Sequence, residues 1–230
     1  MFKVKQINGK DVYYSDLIET EHFFTSRNLI LKDNIEEICA YLEIEPKNLI
    51  HPTQIHSDKI GIIEDNKYIY DNTDALILNK KNKAIYLNFA DCVPVIFYDY
   101  KNNISAIAHA GWRGTAERIA QKTAHRMIKI FNSNPKNIVA AIGPCISFEN
   151  FETYPDAVKK LKASITKINN PYFKENFVDL KGLNKEQLNE IGIYDIDICP
   201  YCTVKDNDKF FSYRKENKTL NRHSAVIKIR

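Results

Sequence analysis

The sequence predicts a mixed fold, α/β or α+β, in which many short strands alternate with a few helices. Three observations support this prediction. The 230 residues are 44% hydrophobic, which is enough for one sizeable core. Short runs typical of strands recur along the chain, whereas helical spacing of apolar residues is confined to a few segments. No repeat, flexible linker or low-complexity block interrupts the pattern, so we expect a single domain over residues 1–230.

Short apolar runs bounded by turn residues predict the strands. An interior proline, Pro94, indicates a strand end or a bulge. The polar residues Asp99–Asn103 separate two runs and predict a hairpin loop. The predicted strands are Tyr13–Tyr14, Leu49–His56, Lys59–Glu64, Ala75–Leu78, Ala84–Phe89, Val93–Tyr98, Ile104–His109, Ile138–Ile142, Asp195–Cys199, Phe210–Tyr213 and Ala225–Ile229.

Helical periodicity is clearest from Thr115 to Phe131, where apolar residues recur three and four positions apart. Thr115 is the predicted N-cap, because its hydroxyl can accept a hydrogen bond from the first turn. Three shorter helices are predicted at Asn34–Leu42, Pro155–Leu161 and Lys185–Ile191.

The composition excludes several classes of protein. The first residues contain no apolar stretch of signal-peptide length, and no run reaches the eighteen or so apolar residues of a membrane span. We therefore expect a cytoplasmic protein without a membrane partner. Five cysteines without an export signal indicate reduced thiols. Cys199 and Cys202 form a CxxC pair near the end of the chain, before a polar loop, and are predicted to be structural.

The net charge of +4 gives little reason to expect nucleic-acid binding. Residues 203–230 carry eight Lys or Arg against three Asp or Glu, a net +5, so the rest of the chain is about neutral. A basic tail can bind nucleic acid, but this segment contains two strand-like runs and is predicted to fold. No nucleic-acid partner is expected.

Three residues near predicted strand ends could form a metal site. His56, Cys92 and His109 would provide two imidazoles and a thiolate, which is typical of catalytic zinc with an open fourth position. Alternatively, these residues are ordinary core or surface side chains. Cys92 and His109 could also be a nucleophile and its base, with Asp91 as the group that orients the imidazole. The spacing does not decide between these chemistries.

The segment His109–Gly114, with the sequence HAGWRG, could also bind an anion. Arg113 lies near the start of the predicted helix, where unpaired N–H groups and partial positive charge favour negative ligands. The alternative is an arginine that stacks on Trp112 at the surface. Gly143-Pro144-Cys145 ends another strand and could line the same pocket or be a plain turn.

Five motifs together resemble the YfiH/laccase-domain family. They are TQIHS (53–57), ADCVPV (90–95), HAGWRG (109–114), AIGPCI (141–146) and FFSYR (210–214). The resemblance extends from about His22 to Ile229. It implies an α+β fold of one compact domain, with four layers in the order α/β/β/α and mixed sheets. It also implies a metal, usually zinc, held by His56, Cys92 and His109, with copper as the alternative.

The same resemblance implies a purine nucleoside phosphorylase that also deaminates adenosine. Expected substrates are phosphate with adenosine or inosine, and methylthioadenosine is left open. Asp91 would carry protons, and Arg113, Arg27 and Arg214 would neutralise phosphate. Gln54 and Tyr213 would hydrogen-bond the sugar or the base. The rival interpretations are a copper-dependent polyphenol oxidase, a hydrolase of a cell-wall precursor with Cys92 as nucleophile, and a non-catalytic nucleotide-binding module. No oligomeric state is predicted.

Overall fold

Two six-stranded mixed sheets and five α-helices make up most of this α+β fold, so the predicted class is confirmed. A computed structural model describes residues 1–166 and 171–230. Within these ranges, none of the helices combines the length and apolar character needed to cross a bilayer. The helices are α1 (Ile35–Leu42), α2 (Trp112–Ala116), α3 (Ile119–Phe131), α4 (Pro155–Lys162) and α5 (Leu180–Asn189).

The strands are short, and most coincide with the apolar runs of the sequence. They are β1 (Phe2–Ile7), β2 (Lys10–Ser15), β3 (His22–Thr25), β4 (Leu49–Ile50), β5 (Ile60–Ile62), β6 (Ala75–Leu78), β7 (Ala84–Phe89), β8 (Val93–Asp99), β9 (Ile104–Ala110), β10 (Ile138–Ile142), β11 (Phe173–Lys174), β12 (Phe177–Val178), β13 (Ile196–Ile198) and β14 (His223–Lys228).

The first sheet has the spatial order β1-β2-β3-β14-β7-β4, and the second has the order β13-β10-β8-β9-β6-β5. Neighbouring strands are antiparallel except at three edge pairs, β4 with β7, β5 with β6 and β10 with β13. The hairpin between β8 and β9 is as predicted, because the Asp99 carboxylate accepts hydrogen bonds from the backbone N–H groups of Lys101 and Asn102. β11 and β12 form a separate two-stranded ribbon.

Period-two alternation places successive side chains of a strand in different cores. In β8, Val95 and Phe97 pack towards helices α3, α4 and α5, whereas Ile96 packs between the two sheets. A third cluster joins α1 to the outer face of the first sheet, with Ile38 against Phe23. The two sheets therefore face each other, and each outer face is covered by helix.

The helix predicted from Thr115 is interrupted, and its predicted N-cap is wrong. The turn α2 begins at Trp112 after Gly111, and Arg118 then adopts a left-handed conformation with φ of 60° before α3 starts. The Thr115 hydroxyl donates to the Ala110 carbonyl instead of capping a helix. Arg118 is held by ion pairing with Glu190, a contact 72 residues away that local periodicity does not reveal.

Two predicted strands are not formed as expected. The run predicted at Leu49–His56 is a strand only at Leu49–Ile50, and the backbone N–H groups of Ile55 and His56 donate to the Asp74 carboxylate instead of to a neighbouring strand. Phe210–Tyr213 forms no strand, and its first three residues are buried whereas Tyr213 is exposed. The Ser212 N–H donates to the Glu216 carboxylate instead of a neighbouring strand. The strands β1 and β3 were not predicted. The helix predicted at Lys185–Ile191 instead begins at Leu180, after Asp179 caps it.

All five cysteines are free thiols, in agreement with the prediction of reduced cysteines. Cys199 and Cys202 are buried. The Cys202 sulfur accepts a hydrogen bond from the Ser147 backbone N–H, which joins two loops. The structural role predicted for the CxxC pair stays a prediction.

His223 is completely buried between the sheets, where its ring stacks on Phe89 and meets the edge of Phe210. Within the described ranges, neither ring nitrogen has a well-formed hydrogen bond. Burial lowers the pKa of His223 to about 3, and the Pro144 carbonyl offsets this only in part. The folded protein therefore holds the neutral imidazole in a site that cannot accept a proton near neutral pH.

This burial predicts a loss of stability in mild acid. Between pH 6.5 and pH 3 the unfolded chain binds a proton at His223 that the folded chain does not, so the free energy of unfolding falls as pH decreases. His223 alone should remove about 2 kcal/mol between pH 8 and pH 5. Urea denaturation of wild type and His223→Leu at several pH values measures this contribution. The free energy of unfolding should depend less steeply on pH in His223→Leu than in wild type. The control His125→Leu, at an exposed position of α3, should leave this pH dependence unchanged.

Candidate metal centre

His56, Cys92 and His109 meet at one end of the central strands β8 and β9 of the second sheet, although they are far apart in sequence. His56 lies in the loop after β4, Cys92 in the turn between β7 and β8, and His109 in β9. Their nitrogen and sulfur ligand atoms all lie within 4.8 Å of one another. Within residues 1–166 and 171–230, this is the one such group of three or more His, Cys, Asp or Glu. The cluster could bind a metal.

The backbone is strained at the two turns that carry these ligands. His56 has φ of 62° and Asp91, immediately before Cys92, has φ of 83°, in the left-handed region that residues other than glycine seldom adopt. Gly111 completes the turn after His109. A Cβ atom at this position would lie 2.8 Å from the Cys92 sulfur and 3.1 Å from His56 Cδ2. A side chain at position 111 would therefore displace the ligands.

Asp74 holds the His56 loop and His109 in position through hydrogen bonds, and it was not predicted from the sequence as a site residue. Its carboxylate, which is fully buried, accepts a hydrogen bond from His109 Nδ1 at 2.8 Å. It also accepts from the backbone N–H groups of Ile55, His56 and Ser57 and from the Ser57 hydroxyl. An acidic residue directly before the apolar strand β6 was the available signal. Because Nδ1 of His109 donates to Asp74, Nε2 is the nitrogen left to bind a metal.

These contacts set the protonation states of the site. Burial disfavours the ionised form of Asp74, but hydrogen bonds from His109 and Ser57 outweigh it and lower its pKa to about 2. Burial also opposes charge on Cys92, but the nearby His109 and hydrogen bonds from both histidines lower its pKa to about 6. For His109, burial is outweighed by Cys92 and Asp74, and its pKa rises to about 9. The thiolate, the form of cysteine that binds metals, is therefore favoured.

The donor set fits zinc. Two imidazoles and one thiolate leave a fourth position for a substrate group, and a carboxylate behind one histidine is typical of zinc sites. The same donors also bind copper, which exceeds zinc in affinity for most such sites. The structure therefore supports a metal site without identifying the metal.

The other predicted site residues are distributed around this centre. Both oxygens of Asp91 are engaged, one by the Thr203 hydroxyl and one by the Arg214 backbone N–H. The Gln54 amide donates to the Asn88 carbonyl and accepts from its N–H, which holds the His56 loop against β7. The roles predicted for Asp91 and Gln54 in proton transfer and substrate binding remain predictions.

The predicted phosphate ligands differ in how free their side chains are. The guanidinium of Arg27 pairs with Glu216 and lies over Phe211. Arg113 is exposed and stacks on Trp112, with its guanidinium carbon 4.4 Å from the ring centroid. This stacking is the alternative considered from the sequence. It leaves the polar edge of Arg113 accessible.

A cavity of about 710 Å³ lies near the cluster, although none of the three ligands lines it. Its lining residue Trp112 follows Gly111, which packs against Cys92, and its lining residue Arg214 donates through its backbone N–H to Asp91, next to Cys92. Trp112, which follows Gly111, forms one wall, and Tyr213 and Arg214 form another. Arg214 also donates to the carbonyl groups of Asn150 and Glu152, which fixes the loop after the AIGPCI motif. The lining residues are Trp112, Phe151, Glu152, Thr153, Tyr154, Pro155, Asn176, Tyr213, Arg214, Asn217 and Lys218. The cavity combines aromatic walls with cationic and amide groups, which suits a polar aromatic ligand.

Known proteins with related sequences and folds place these features in context. The chain is 34% identical over 161 residues to purine nucleoside phosphorylase YlmD of Bacillus subtilis (strain 168), a match that covers 67% of this chain and 58% of that protein. It is 30% identical over 226 residues to adenosine deaminase RL5 of an unknown prokaryotic organism, covering 91% and 85%. The crystal structure of YlmD from Geobacillus stearothermophilus superposes with a TM-score of 0.89 at 22% identity, covering 99% and 98%.

A sequence profile described as "Multi-copper polyphenol oxidoreductase laccase" matches residues 25–230, a range that includes all three residues of the cluster. The relatives that are named as a phosphorylase and a deaminase align with most of this range of the chain. The chain therefore belongs to the multi-copper polyphenol oxidoreductase laccase family, in which YfiH and YlmD proteins are found.

Proposed function

We propose that this protein is a metal-dependent purine nucleoside phosphorylase that also deaminates adenosine. The observation that carries the proposal is the cluster of His56, Cys92 and His109, preorganised by Asp74 beside an aromatic and cationic cavity. The names of relatives at about 30% identity support the same activity. Zinc is the proposed metal, and copper is the alternative.

When bound, zinc would supply a Lewis acid. His56, Cys92 and His109 would hold it, and Asp74 would fix the orientation of His109. Gly111 keeps the space between the ligands clear. The chain thus provides an ordered, partly buried set of donors, which reduces reorganisation when substrate binds.

The cavity would hold the nucleoside. Trp112 and Tyr213 offer aromatic surface for the purine, and Asn176 offers an amide for its polar edge. In phosphorolysis a phosphate oxygen forms a bond to C1′ of the ribose while the bond from C1′ to the base breaks. The positive charge of Arg214, which lines the cavity, would stabilise the phosphate in this step, and Arg113, which stacks on the lining residue Trp112 without lining the cavity itself, would add to the positive potential there. In deamination, water attacks C6 of adenosine and ammonia leaves, which gives inosine.

Chromatography of the reaction products tests the proposal. Zinc-loaded protein should release adenine or hypoxanthine from adenosine or inosine only when phosphate is present, together with ribose 1-phosphate. Without phosphate, adenosine should give inosine. Absence of turnover of both nucleosides by fully zinc-loaded protein would exclude the proposed function.

One observation favours a second candidate, the cysteine-dependent hydrolase. Cys92, His109 and Asp74 are connected in the order of a nucleophile, its base and an orienting carboxylate. The second imidazole, His56, is not needed for that chemistry but is needed for a metal site. For this reason the metal-dependent enzyme is the better supported function.

A further inference from the structure

We propose that Lys218 binds the inorganic phosphate that is consumed in the reaction. The inference rests on the proposed function, because phosphorolysis needs a phosphate site in the same cavity as the nucleoside. It starts from a comparison of the cationic side chains around the cavity. Most of these cationic side chains are already bound to other protein groups, so few of them are free to contact a ligand.

Most of these cations already have partners. Arg27 pairs with Glu216, and Arg222 donates to the carbonyl groups of Thr219 and Asn221. Lys215 donates to the Val204 carbonyl. Arg27, Arg222 and Lys215 therefore serve local contacts within the protein, and none of the three lines the cavity.

Lys218 differs from these residues. It lines the cavity and is exposed, and within the described ranges its ammonium group makes no hydrogen bond or ion pair. An ammonium with three free donors can contact an anion without first breaking a bond inside the protein. The Arg113 guanidinium, which stacks on Trp112, also makes no hydrogen bond or ion pair within residues 1–166 and 171–230, but Arg113 does not line the cavity.

The backbone holds Lys218 at the cavity at a conformational cost. Asn217 and Lys218 are consecutive residues in the left-handed region, with φ of 49° and 67°. The Lys218 N–H donates to the Tyr213 carbonyl, which closes the loop that begins at Tyr213. Two consecutive left-handed residues, neither of them glycine, are uncommon, and such strain is found more often at functional sites than elsewhere.

The charge of the cavity also favours an anion. Arg214 bonds neutral carbonyl groups, so its charge is not cancelled by a carboxylate there. Arg214 and Lys218 together outweigh Glu152, the one acidic residue among those that line the cavity. A phosphate dianion would gain from both cations, whereas an uncharged nucleoside would gain little from them.

Direct binding of inorganic phosphate to zinc-loaded protein, measured by phosphorus-31 NMR line broadening, tests this assignment without requiring turnover. Lys218→Met should weaken phosphate binding about tenfold, which is the effect expected for one charge-assisted contact. Lys218→Arg should restore most of the affinity. Lys215→Met, a change in the same loop at a carbonyl-bound lysine, should alter the affinity less than about twofold.

The outcomes separate this inference from the proposed function. If Lys218→Met binds phosphate as tightly as wild type, Lys218 is not the phosphate ligand, whether or not the protein is a phosphorylase. If phosphate binding depends on Lys218 but no nucleoside is cleaved, the phosphate site stands and the proposed function is wrong. If adenosine 5′-monophosphate binds through Lys218 but inorganic phosphate does not, the site takes a phosphate ester and the inference is overturned.

Discussion

Replacing Cys92 by serine is expected to remove the bound metal and, with it, the cleavage of nucleosides. A serine hydroxyl does not ionise near neutral pH, so the variant offers two neutral imidazoles where the wild type offers a thiolate as well. Protein purified without added metal should contain about one equivalent of zinc per chain in the wild type and less than about a tenth in Cys92→Ser. Turnover should fall at least about a hundredfold.

Cys39→Ser is the matched control for this experiment. Cys39 is also buried, but it lies in α1, on the outer face of the first sheet. This variant should retain zinc and activity even if its stability falls. Full zinc content in Cys92→Ser would show that Cys92 is not a ligand, and the roles assigned to His56 and His109 would then need revision.

Alkylation distinguishes the metal site from the cysteine nucleophile. In metal-free protein the Cys92 thiol is expected to react readily, because its pKa is lowered and its side chain is partly exposed. If Cys92 is a metal ligand, zinc should protect it from iodoacetamide. If Cys92 is the nucleophile of a hydrolase, metal-free protein should hydrolyse its substrate until alkylation stops it, and zinc should inhibit.

The ligand cluster could be proposed from the sequence because Cys92 and His109 flank or end apolar runs, and the family resemblance added support for His56, which lies in a loop and not at a strand end. The sequence could not show that Asp74 contacts His109, 35 residues further along the chain. The pairing of Arg27 with Glu216 spans 189 residues and competes with the predicted role in phosphate binding. A local sequence pattern shows which types of side chain are present. Only the tertiary fold determines which of these side chains already bind another residue of the protein.

The same limit explains the errors in the elements. Phe210–Tyr213 has the composition of a strand, but Phe210 fills space between the sheets and the segment is held by the Ser212 N–H, which donates to Glu216. The break at Arg118 depends on Glu190 of a distant segment. In both cases a tertiary contact outweighs the local preference.

Replacing Asp74 by asparagine is expected to weaken both zinc binding and folding. The carboxylate accepts five hydrogen bonds, and every donor points at an oxygen. An amide must place its NH₂ group against some of these donors, which leaves buried N–H groups without an acceptor. We expect the free energy of unfolding to fall by about 3 kcal/mol. Zinc affinity should fall about 10- to 100-fold, because the orientation of His109 and the loop of His56 depend on Asp74.

Asp71→Asn is the control, because Asp71 is exposed three residues earlier in the same loop and accepts a hydrogen bond from the Thr53 hydroxyl. It should change the free energy of unfolding by less than about 0.5 kcal/mol.

The dependence of the free energy of unfolding on pH in acid gives a second measurement. The pKa of Asp74 is lowered to about 2 in the folded state, so its contribution is complete above pH 3.8 and is lost as the pH falls towards 2. Asp74→Asn should lack this loss, whereas Asp71→Asn should keep it. If Asp74→Asn binds zinc as tightly as wild type, Asp74 does not organise the metal site, and the contact with His109 serves the fold alone.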